Sequence, residues 1–363
     1  MNLKSISIRS FRNIARIDYQ PDPGLNLLVG DNAQGKTNLL EAIYVIATGS
    51  SFRSGAFTNL IKENSDTFSI KAWYEVNHRN IESSLQYRQK QNKIYKINNK
   101  KTTFANSDRL RVVIFNPDDL YLVKGNPALR RNFIDFILKQ LSGEYFNNLD
   151  QYVSILKKRN FLLRKEQANT RSFAIVNDIF IEKAAQVTLS RINFISLLEN
   201  TVNPIYQQIN TTNARLKIRY AVSFPVDSDK IKLDILAHAL GKQIKDNNNK
   251  EISRRTTLFG PHVEDINFYQ EGKLARFFSS QGQQRNIVVS LKLAEIHIYQ
   301  KIKGFYPVFL LDEVLAELDK PKQERLMHYL KTAAWQSFLT SVSPDHLDIA
   351  GVRVVEIKNG SLQ

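Results

Sequence analysis

Residues 30–37 form a complete GxxxxGK[ST] phosphate-binding loop. An apolar run, residues 25–29, precedes the loop and a helix-like stretch, residues 38–47, follows it, which is the context the motif requires. Lys36 would reach the β- and γ-phosphates, and the Thr37 hydroxyl would hold Mg²⁺. The motif predicts an ATP site. The residues predicted to surround its phosphates are Gly30, Asp31, Asn32, Ala33, Gln34, Gly35, Lys36 and Thr37.

A second chemical pattern is the apolar stretch 307–311, which ends in Asp312 and Glu313. In a phosphate-loop ATPase, an aspartate at this place orients Mg²⁺, and the glutamate after it accepts a proton from the attacking water. Alone this pattern is weak evidence, because many surface turns contain two acids. Together with the phosphate loop it predicts hydrolysis, with Lys36, Asp312 and Glu313 as catalytic residues and Thr37 and Asp312 as Mg²⁺ ligands.

A third pattern, Ser-Ser-Gln-Gly-Gln-Gln-Arg at residues 279–285, is followed by a helix-like run, residues 286–298. Ser280 is predicted to cap this helix, and Gly282 would allow an anion to approach closely. An ordinary capped helix would be the better explanation of the segment if it stood alone. A further apolar stretch, residues 335–341, reads as a buried strand that ends in hydroxyl side chains.

Strand patterns occupy both ends of the chain, and helical patterns occupy the middle. Helical spacing of apolar residues runs from about residue 127 to residue 209, with a polar joint at 165–172. The polar, Asn-rich segment 240–253 is predicted to be a loop. Strands are predicted within residues 3–19 (two, around a turn), 68–76, 81–97 and 111–115.

Composition narrows the class of protein. The chain has 363 residues and no cysteine, which excludes disulfides and thiolate metal sites and suits a reducing cytosol. No apolar run approaches the roughly 20 residues of a membrane span, so a cytoplasmic protein without a membrane partner is expected. The net charge of +16 favours a polyanion such as DNA as partner. An AT-rich genome, which enriches Lys, Asn and Ile, is the alternative explanation of that charge.

The order of these motifs, ending with Ala-Glu-Leu-Asp at 316–319, resembles that of ATP-binding cassette ATPases. Within them the chain resembles the SMC-type branch, and in that branch the RecF family of bacterial recombinational repair proteins. The resemblance extends nearly end to end. The strings that carry it are residues 8–14 (IRSFRNI), 30–42 (GDNAQGKTNLLEA), 115–120 (FNPDDL), 123–125 (VKG), 130–135 (RRNFID), 260–262 (GPH) and 280–285 (SQGQQR).

The resemblance implies a homodimer that sandwiches two ATP molecules between its subunits. Ser280, Gly282 and Gln283 would then contact the γ-phosphate of ATP bound by the other subunit. Asp319 would support the dimer seam.

The resemblance also assigns residues to the subunit's own site. Arg12 and Asn13 match the family's nucleotide-contacting turn. Cassette ATPases often place a switch histidine where this chain has Thr340 or Ser341, so slow hydrolysis is expected. No glutamine loop is identified.

The predicted fold is an α/β, SMC-type, P-loop ATP-binding cassette domain formed by residues 1–118 and 254–363. A mostly helical arm domain, residues 119–253, is inserted between its two parts. This insert is too short for a long coiled coil with a hinge.

The resemblance further implies a weak, DNA-stimulated ATPase that acts as a switch in DNA repair, replication restart and the SOS response. The ATP-bound dimer would clamp DNA at single-strand/double-strand gaps and help RecR and RecO to load RecA. Basic side chains would contact phosphates with little base reading. The candidates are Lys124, Arg130, Arg131, Lys157 and Arg159.

Three other functions remain open at this point. A structural SMC-like DNA organiser is disfavoured by the short insert. The ATPase subunit of a transporter would carry the signature L-S-G-G-Q, which this chain replaces with S-S-Q-G-Q-Q. A P-loop kinase would not explain residues 281–285.

Overall fold

The computed structural model describes residues 1–53, 55–210, 213–226, 231–345 and 347–363. Strands occur at both ends of this α/β chain, and helices occupy most of its middle, as the sequence predicts. The strands are β1 (Asn2–Phe11), β2 (Ile14–Tyr19), β3 (Leu25–Val29), β4 (Thr67–Val76), β5 (Arg79–Arg88), β6 (Ile94–Ile97), β7 (Lys100–Lys101), β8 (Val112–Phe115), β9 (Leu216–Ala221), β10 (Asp265–Gln270), β11 (Lys273–Leu274), β12 (Val308–Leu311), β13 (Ser337–Ser341), β14 (Arg353–Lys358) and β15 (Ser361–Leu362). The helices are α1 (Lys36–Thr48), α2 (Pro127–Leu141), α3 (Gly143–Arg164), α4 (Arg171–Asn210), α5 (Leu233–Asp246), α6 (Asn248–Arg254), α7 (Ala275–Phe278), α8 (Gln281–Lys303) and α9 (Lys320–Thr332).

The chain divides into two compact units. The first consists of Met1–Leu120, Ile209–Thr211 and Val288–Gln363, and the second of Tyr121–Gln208 and Thr212–Ile287. The sequence placed residues 254–287 with the cassette, whereas the structure groups them with the second unit. The physical reason is strand pairing, because β10 runs antiparallel to β9 from the middle of the chain.

An antiparallel sheet with the order β2-β1-β4-β5-β6-β7 lies in the first unit. Strand β4 shows why it forms, because its side chains alternate between inward and outward positions, with Phe68, Ile70, Ala72 and Tyr74 buried. The two strands predicted around the turn at residues 10–13 are β1 and β2 of this sheet.

The second sheet of the first unit, with the order β15-β14-β3-β13-β12-β8, positions the candidate site. Its five strands from β14 to β8 are all parallel. Strands β3, β8 and β12 are buried along their whole length, as expected for a parallel sheet covered on both faces. Parallel strands direct their carboxyl ends to one edge, so the segments after β3, β8, β12 and β13 meet there.

The second unit contains α2, α3 and nearly all of α4, which confirms the helical pattern predicted from about residue 127 to residue 209. The loop predicted at 240–253 is wrong, because α5 and α6 occupy most of that segment. Leu236, Leu240 and Ile244 of α5 are buried at a spacing of four residues. The polar run between them is therefore the solvated face of an amphipathic helix.

Two of the basic residues proposed as DNA contacts have other partners in the structure. Arg130 is buried and forms an ion pair with Asp265, with 2.7 Å between Nε and Oδ1. Arg159 is fully buried and pairs with Glu251. Arg131 is half-buried and donates to the Glu264 carbonyl. The predicted phosphate-contacting role is thus wrong for Arg130 and Arg159, whose charges are neutralised inside the second unit.

Within the described part of the chain, none of the helices combines the length and the apolar character that a membrane crossing requires.

Candidate nucleotide-binding site

The phosphate loop connects β3 to α1 and depends on glycines at two positions. Gly30 has φ +146° and Gly35 has φ +116°, which are unfavourable for residues with a Cβ. A Cβ on Gly30 would lie 2.3 Å from the Ile357 carbonyl oxygen, so only glycine fits there. Gly35 precedes the first residue of α1, and no side chain caps that helix. The N–H groups at the start of α1 are therefore available to an anion.

Lys36 is held inside the loop that it is predicted to serve. Its Nζ donates to the carbonyl oxygens of Gly30 and Asp31 at 2.6 and 2.9 Å. Burial lowers the pKa of the Lys36 ammonium, while the nearby carboxylates of Glu313, Asp312 and Asp31 act in the opposite direction. A bound phosphate would give the buried ammonium a charged partner in place of the water it has lost, so the site favours an anionic ligand.

Asp312 is the centre of a hydrogen-bonded group at the carboxyl ends of the parallel strands. Its Oδ1 accepts from Thr37 Oγ1 at 2.8 Å and from Thr340 Oγ1 at 3.1 Å. The Thr340 hydroxyl also accepts from the backbone N–H of Glu313 at 2.8 Å. Burial raises the pKa of the Asp312 carboxyl, and the bonds from Thr37 and Thr340 partly offset this effect. The structure thus joins the phosphate loop, the acidic strand end and β13.

These groups line an open cleft of about 520 Å³. Of the predicted site residues, the cleft contains Asn13, Ala33, Gly35, Lys36, Thr37, Asp312 and Glu313. Glu313 is exposed there, with φ +53°. The two acids and the phosphate loop, far apart in sequence, therefore share one site.

The cleft also contains residues to which the sequence analysis assigned no role in the site. Asn116 and Asp118 follow directly after β8, which pairs in parallel with β12. Because parallel neighbours end at the same edge of a sheet, the end of β8 was the sequence signal that could have located these two residues. Arg53 and Phe52 follow α1 without any motif. Arg53 donates to Asn38 at 3.0 Å, and its charge lowers the pKa of Asp312. The members missed are Asn38, Phe52, Arg53, Asn116, Pro117 and Asp118.

The turn with Arg12 and Asn13 contacts both the phosphate loop and α1. Arg12 forms a two-bond ion pair with the buried carboxylate of Glu41 in α1, at 2.8 and 2.9 Å. Asn13 donates to the Ala33 carbonyl at 3.2 Å and accepts from Asn38 at 2.8 Å. Both residues therefore hold the turn against the phosphate loop and its helix.

The Ser280 segment lies in the second unit at the start of α8. Ser280 Oγ accepts from Gln283 N at 3.2 Å, and Ser280 N donates to Gln283 Oε1 at 2.8 Å. This reciprocal pair is a capping box and confirms the predicted cap. Gly282 follows in the first turn of the helix. Asp319 caps α9 without such a reciprocal bond, because its Oδ1 only accepts from Lys322 N at 3.1 Å.

The described residues contain no group of three or more His, Asp or Glu side chains that could hold a metal ion. Thr37 and Asp312 still fit Mg²⁺, which prefers hydroxyl and carboxylate oxygens and takes only one or two protein ligands where phosphates supply the rest.

The chain is similar to known proteins over its whole length. The family model of the RecF/RecN/SMC N-terminal domain matches residues 2–361. The DNA replication and repair protein RecF of Geobacillus thermodenitrificans is 36% identical over 370 residues, covering 100% of this chain and 99% of that protein. RecF of Enterococcus faecalis is 36% identical over 353 residues, covering 96% and 94%.

Solved structures give the same assignment. The recombination mediator protein RecF–ATP of the RecFOR pathway matches with a TM-score of 0.90 and 29% identity, over 100% of this chain and 97% of that one. The Smc head domain of Pyrococcus furiosus bound to the C-terminal domain of ScpA matches with a TM-score of 0.56 at 14% identity, over 100% of this chain and 95% of that one, which shows the shared fold alone. The chain therefore belongs to the RecF family of the RecF/RecN/SMC group.

Proposed function

We propose that this protein is an ATP-dependent DNA-binding protein of recombinational repair and replication restart. The observation that carries the proposal is the hydrogen-bonded group of Thr37, Asp312 and Thr340 beside the buried ammonium of Lys36. A hydroxyl, a carboxylate and an ammonium at the end of a phosphate loop form the arrangement that binds a triphosphate with its metal ion.

ATP is proposed to bind in the cleft with its phosphates in the loop formed by residues 30–37. Lys36 would exchange its bonds to the Gly30 and Asp31 carbonyls for bonds to phosphate oxygens. Thr37 and Asp312 would hold Mg²⁺, which supplies charge neutralisation of the phosphates. The solved relative described as RecF–ATP supports this nucleotide.

Hydrolysis is proposed to use Glu313 as the base. Its carboxylate is exposed in the cleft and can accept a proton from a water that attacks the γ-phosphate. Thr340 or Ser341 is proposed to stand where other cassette ATPases have a switch histidine, and Thr340 contacts Asp312 Oδ1 and the backbone N–H of Glu313. A hydroxyl carries no positive charge to stabilise the transition state, so we expect weak turnover that serves as a switch.

Ser280, Gly282 and Gln283 are proposed to contact the γ-phosphate of ATP held by a second copy of this chain. Ser280 caps α8, so its hydroxyl and the first N–H groups of that helix lie together at an end that favours an anion. Asp319 is proposed to support the dimer seam. ATP would then form part of the interface, and its binding would stabilise the dimer by mass action until hydrolysis releases it.

DNA with a single-strand/double-strand junction is the proposed cargo, with RecR, RecO and RecA as partners in the cytoplasm. The net charge of +16 supports binding to a polyanion, and Lys124 and Lys157 are exposed. Relatives are named DNA replication and repair protein RecF, which supports the pathway.

Binding to a gapped duplex tests the DNA function. It is measured without nucleotide, with ADP and with a non-hydrolysable ATP analogue, at about 50 and about 200 mM salt. We expect salt-sensitive binding that is much tighter with the analogue, with an ungapped duplex as the control. Binding that ignores the nucleotide would contradict the ATP-gated clamp.

Ser280→Arg tests the sandwich. We expect this variant to bind ATP with unchanged affinity. It should nevertheless sediment as a monomer with and without nucleotide, because the arginine blocks the contact with the second subunit. Loss of ATP affinity would instead assign Ser280 to the subunit's own site.

A further inference from the structure

The turn between β14 and β15, residues 358–361, contacts the phosphate loop directly. Gly360 N donates to the Gln34 carbonyl oxygen at 2.8 Å, and Asn359 N donates to Gln34 Oε1 at 2.6 Å. Asn359 has φ +50° and Gly360 has φ +71°, which turns both N–H groups toward the same residue. Gln34 is separated from this turn by 325 positions in the sequence.

The packing around this contact leaves no space. A Cβ on Gly360 would lie 2.6 Å from the Asn13 carbonyl oxygen. A Cβ on Gly35 would lie 3.0 Å from Asn13 Oδ1 and 3.3 Å from Gly360 Cα. Three backbone segments therefore meet in close contact: the phosphate loop, the turn at Asn13 and the turn at Gly360.

The supporting turn is itself anchored. Strand β14 pairs in parallel with β3, where Glu356 lies opposite Val29, the residue before the phosphate loop. At the end of the chain, Gln363 N donates to the Glu356 carbonyl at 3.0 Å. These bonds fix the position of the Asn359–Gly360 turn relative to β3, the strand that leads into the phosphate loop.

We propose that the Asn359–Gly360 turn is a positioning element for the phosphate loop. This inference rests on the proposed ATP function, because it states how the loop is kept ready for phosphates. By fixing both the carbonyl and the side chain of Gln34, the turn holds the following peptide groups with their N–H bonds toward the cleft. If the phosphate loop occupied this conformation only part of the time, its apparent affinity for nucleotide would fall in proportion to the fraction of time spent in that conformation. The turn acts through Gln34.

Gly360→Ala tests the proposal, and Gly351→Ala is the matched control. Both glycines have nearly equal positive φ, +71° and +74°, so alanine strains the backbone equally at both positions. Gly351 has nothing within 4 Å of an added Cβ, whereas Gly360 has the Asn13 carbonyl. Only the Gly360 variant should displace the turn from the loop.

The measurements are the dissociation constants of fluorescent ATP and ADP analogues and the melting temperature of each variant. We expect Gly360→Ala to weaken both nucleotides about tenfold, the effect of losing one or two hydrogen bonds that fix the loop. Gly351→Ala should bind like the unmodified chain. Both affinities are measured well below the melting temperatures of the two variants, so that an affinity loss confined to Gly360→Ala reports positioning and not general unfolding.

A chain ended after Lys358 provides the second variant, because it removes the turn without introducing a clash. It should lose nucleotide affinity to a similar extent. Unchanged affinity in this shortened chain or in Gly360→Ala would overturn the positioning role. Failure of the unmodified chain and of Gly351→Ala to bind ATP would instead refute the proposed ATP function, so the two ideas fail separately.

Discussion

The charged cluster around Lys36 in the first compact unit and the one around Arg159 in the second have opposite environments. In the first unit, Lys36, Arg53, Asp312 and Glu313 surround an open cleft. In the second unit, buried arginines are matched with carboxylates. The pairs are Arg130 with Asp265, Arg159 with Glu251 and Arg191 with Asp135. An open charged cluster can accept a ligand, whereas a closed one has already satisfied its charges within the protein.

Arg159 illustrates the closed arrangement. Its guanidinium donates to Glu251 at 2.6 Å, to Thr257 at 2.7 Å and to Asn177 at 3.0 Å, and its side chain is fully buried. The ring of Phe180 lies 5.1 Å from its central carbon. In a chain with a net charge of +16, a basic residue is thus not automatically a contact for nucleic acid. We therefore expect substitutions of cleft residues to change activity and substitutions within the buried ion pairs to change stability.

The largest effect is expected for Glu313→Gln. Loss of the base should reduce ATP turnover about 10²–10⁴-fold. The unfolding free energy should change by less than about 0.5 kcal/mol, because the side chain is exposed. Single-turnover hydrolysis and urea unfolding measure the two quantities, and sedimentation with ATP should show a trapped dimer. Glu324→Gln, an exposed acid of α9, is the control. Unaltered turnover in Glu313→Gln would refute the role of the base.

The opposite result is expected for Arg159→Met in the second unit. Removing one partner of a buried pair leaves the Glu251 carboxylate without its counter-charge, which should lower the unfolding free energy by about 3–5 kcal/mol. The ATP affinity of the folded fraction should stay the same. Lys157→Met, an exposed change on the same helix, controls for the loss of a positive charge. If both variants were equally stable, the buried pair would not have the structural role that the comparison assigns to it.

The sequence predicted those parts of the molecule that depend on neighbouring residues. The phosphate loop, the capping box at Ser280 and the buried strand before Asp312 all follow local rules. The burial of Arg159 was not predictable in this way, because Glu251 lies 92 positions further along the chain. A contact at such a separation is set by the tertiary fold.

The same reason explains what the sequence missed in the candidate site. Asn359 and Gly360 reach Gln34 only through the pairing of β14 with β3. Arg53 enters the cleft from the segment after α1, where no motif marks it. The polar segment 240–253 was misread because solvated helix faces and loops share a composition, and only the buried spacing of Leu236, Leu240 and Ile244 separates them.

The first unit also contains a buried acid, Glu295, whose surroundings differ from those of Glu251 in the second unit. Glu295 of α8 is fully buried, and neither of its carboxylate oxygens has a hydrogen-bond partner among the residues that the structure describes. Glu251 in the second unit is equally buried but accepts from Arg159 and from Leu258 N. Burial raises the pKa of the Glu295 carboxyl to about 8, although Lys292 opposes the shift.

This environment predicts a pH-dependent effect of Glu295→Gln. Between the ordinary value of 4.5 and about 8, the folded chain keeps a proton that the unfolded chain releases, so its stability falls as pH rises through this window. The neutral variant lacks this loss. Its unfolding free energy should match that of the unmodified chain near pH 4.5 and exceed it by an amount that grows up to pH 8. Urea unfolding across this range measures the difference, with exposed Glu182→Gln as the control; a constant difference would contradict the prediction.

The smallest effect is expected for Lys157→Ala on DNA binding, and it tests the exposed side of the second unit. One phosphate contact contributes about one unit to the slope of log affinity against log salt, so the slope should become shallower by about that amount. Affinity should fall equally for all sequences, because a phosphate contact reads no bases. Lys124→Ala is the matched comparison at another exposed lysine of the same unit. An unchanged slope in both variants would mean that DNA binds elsewhere on the protein and not at these lysines. The structural role of the buried arginines would be unaffected by that result.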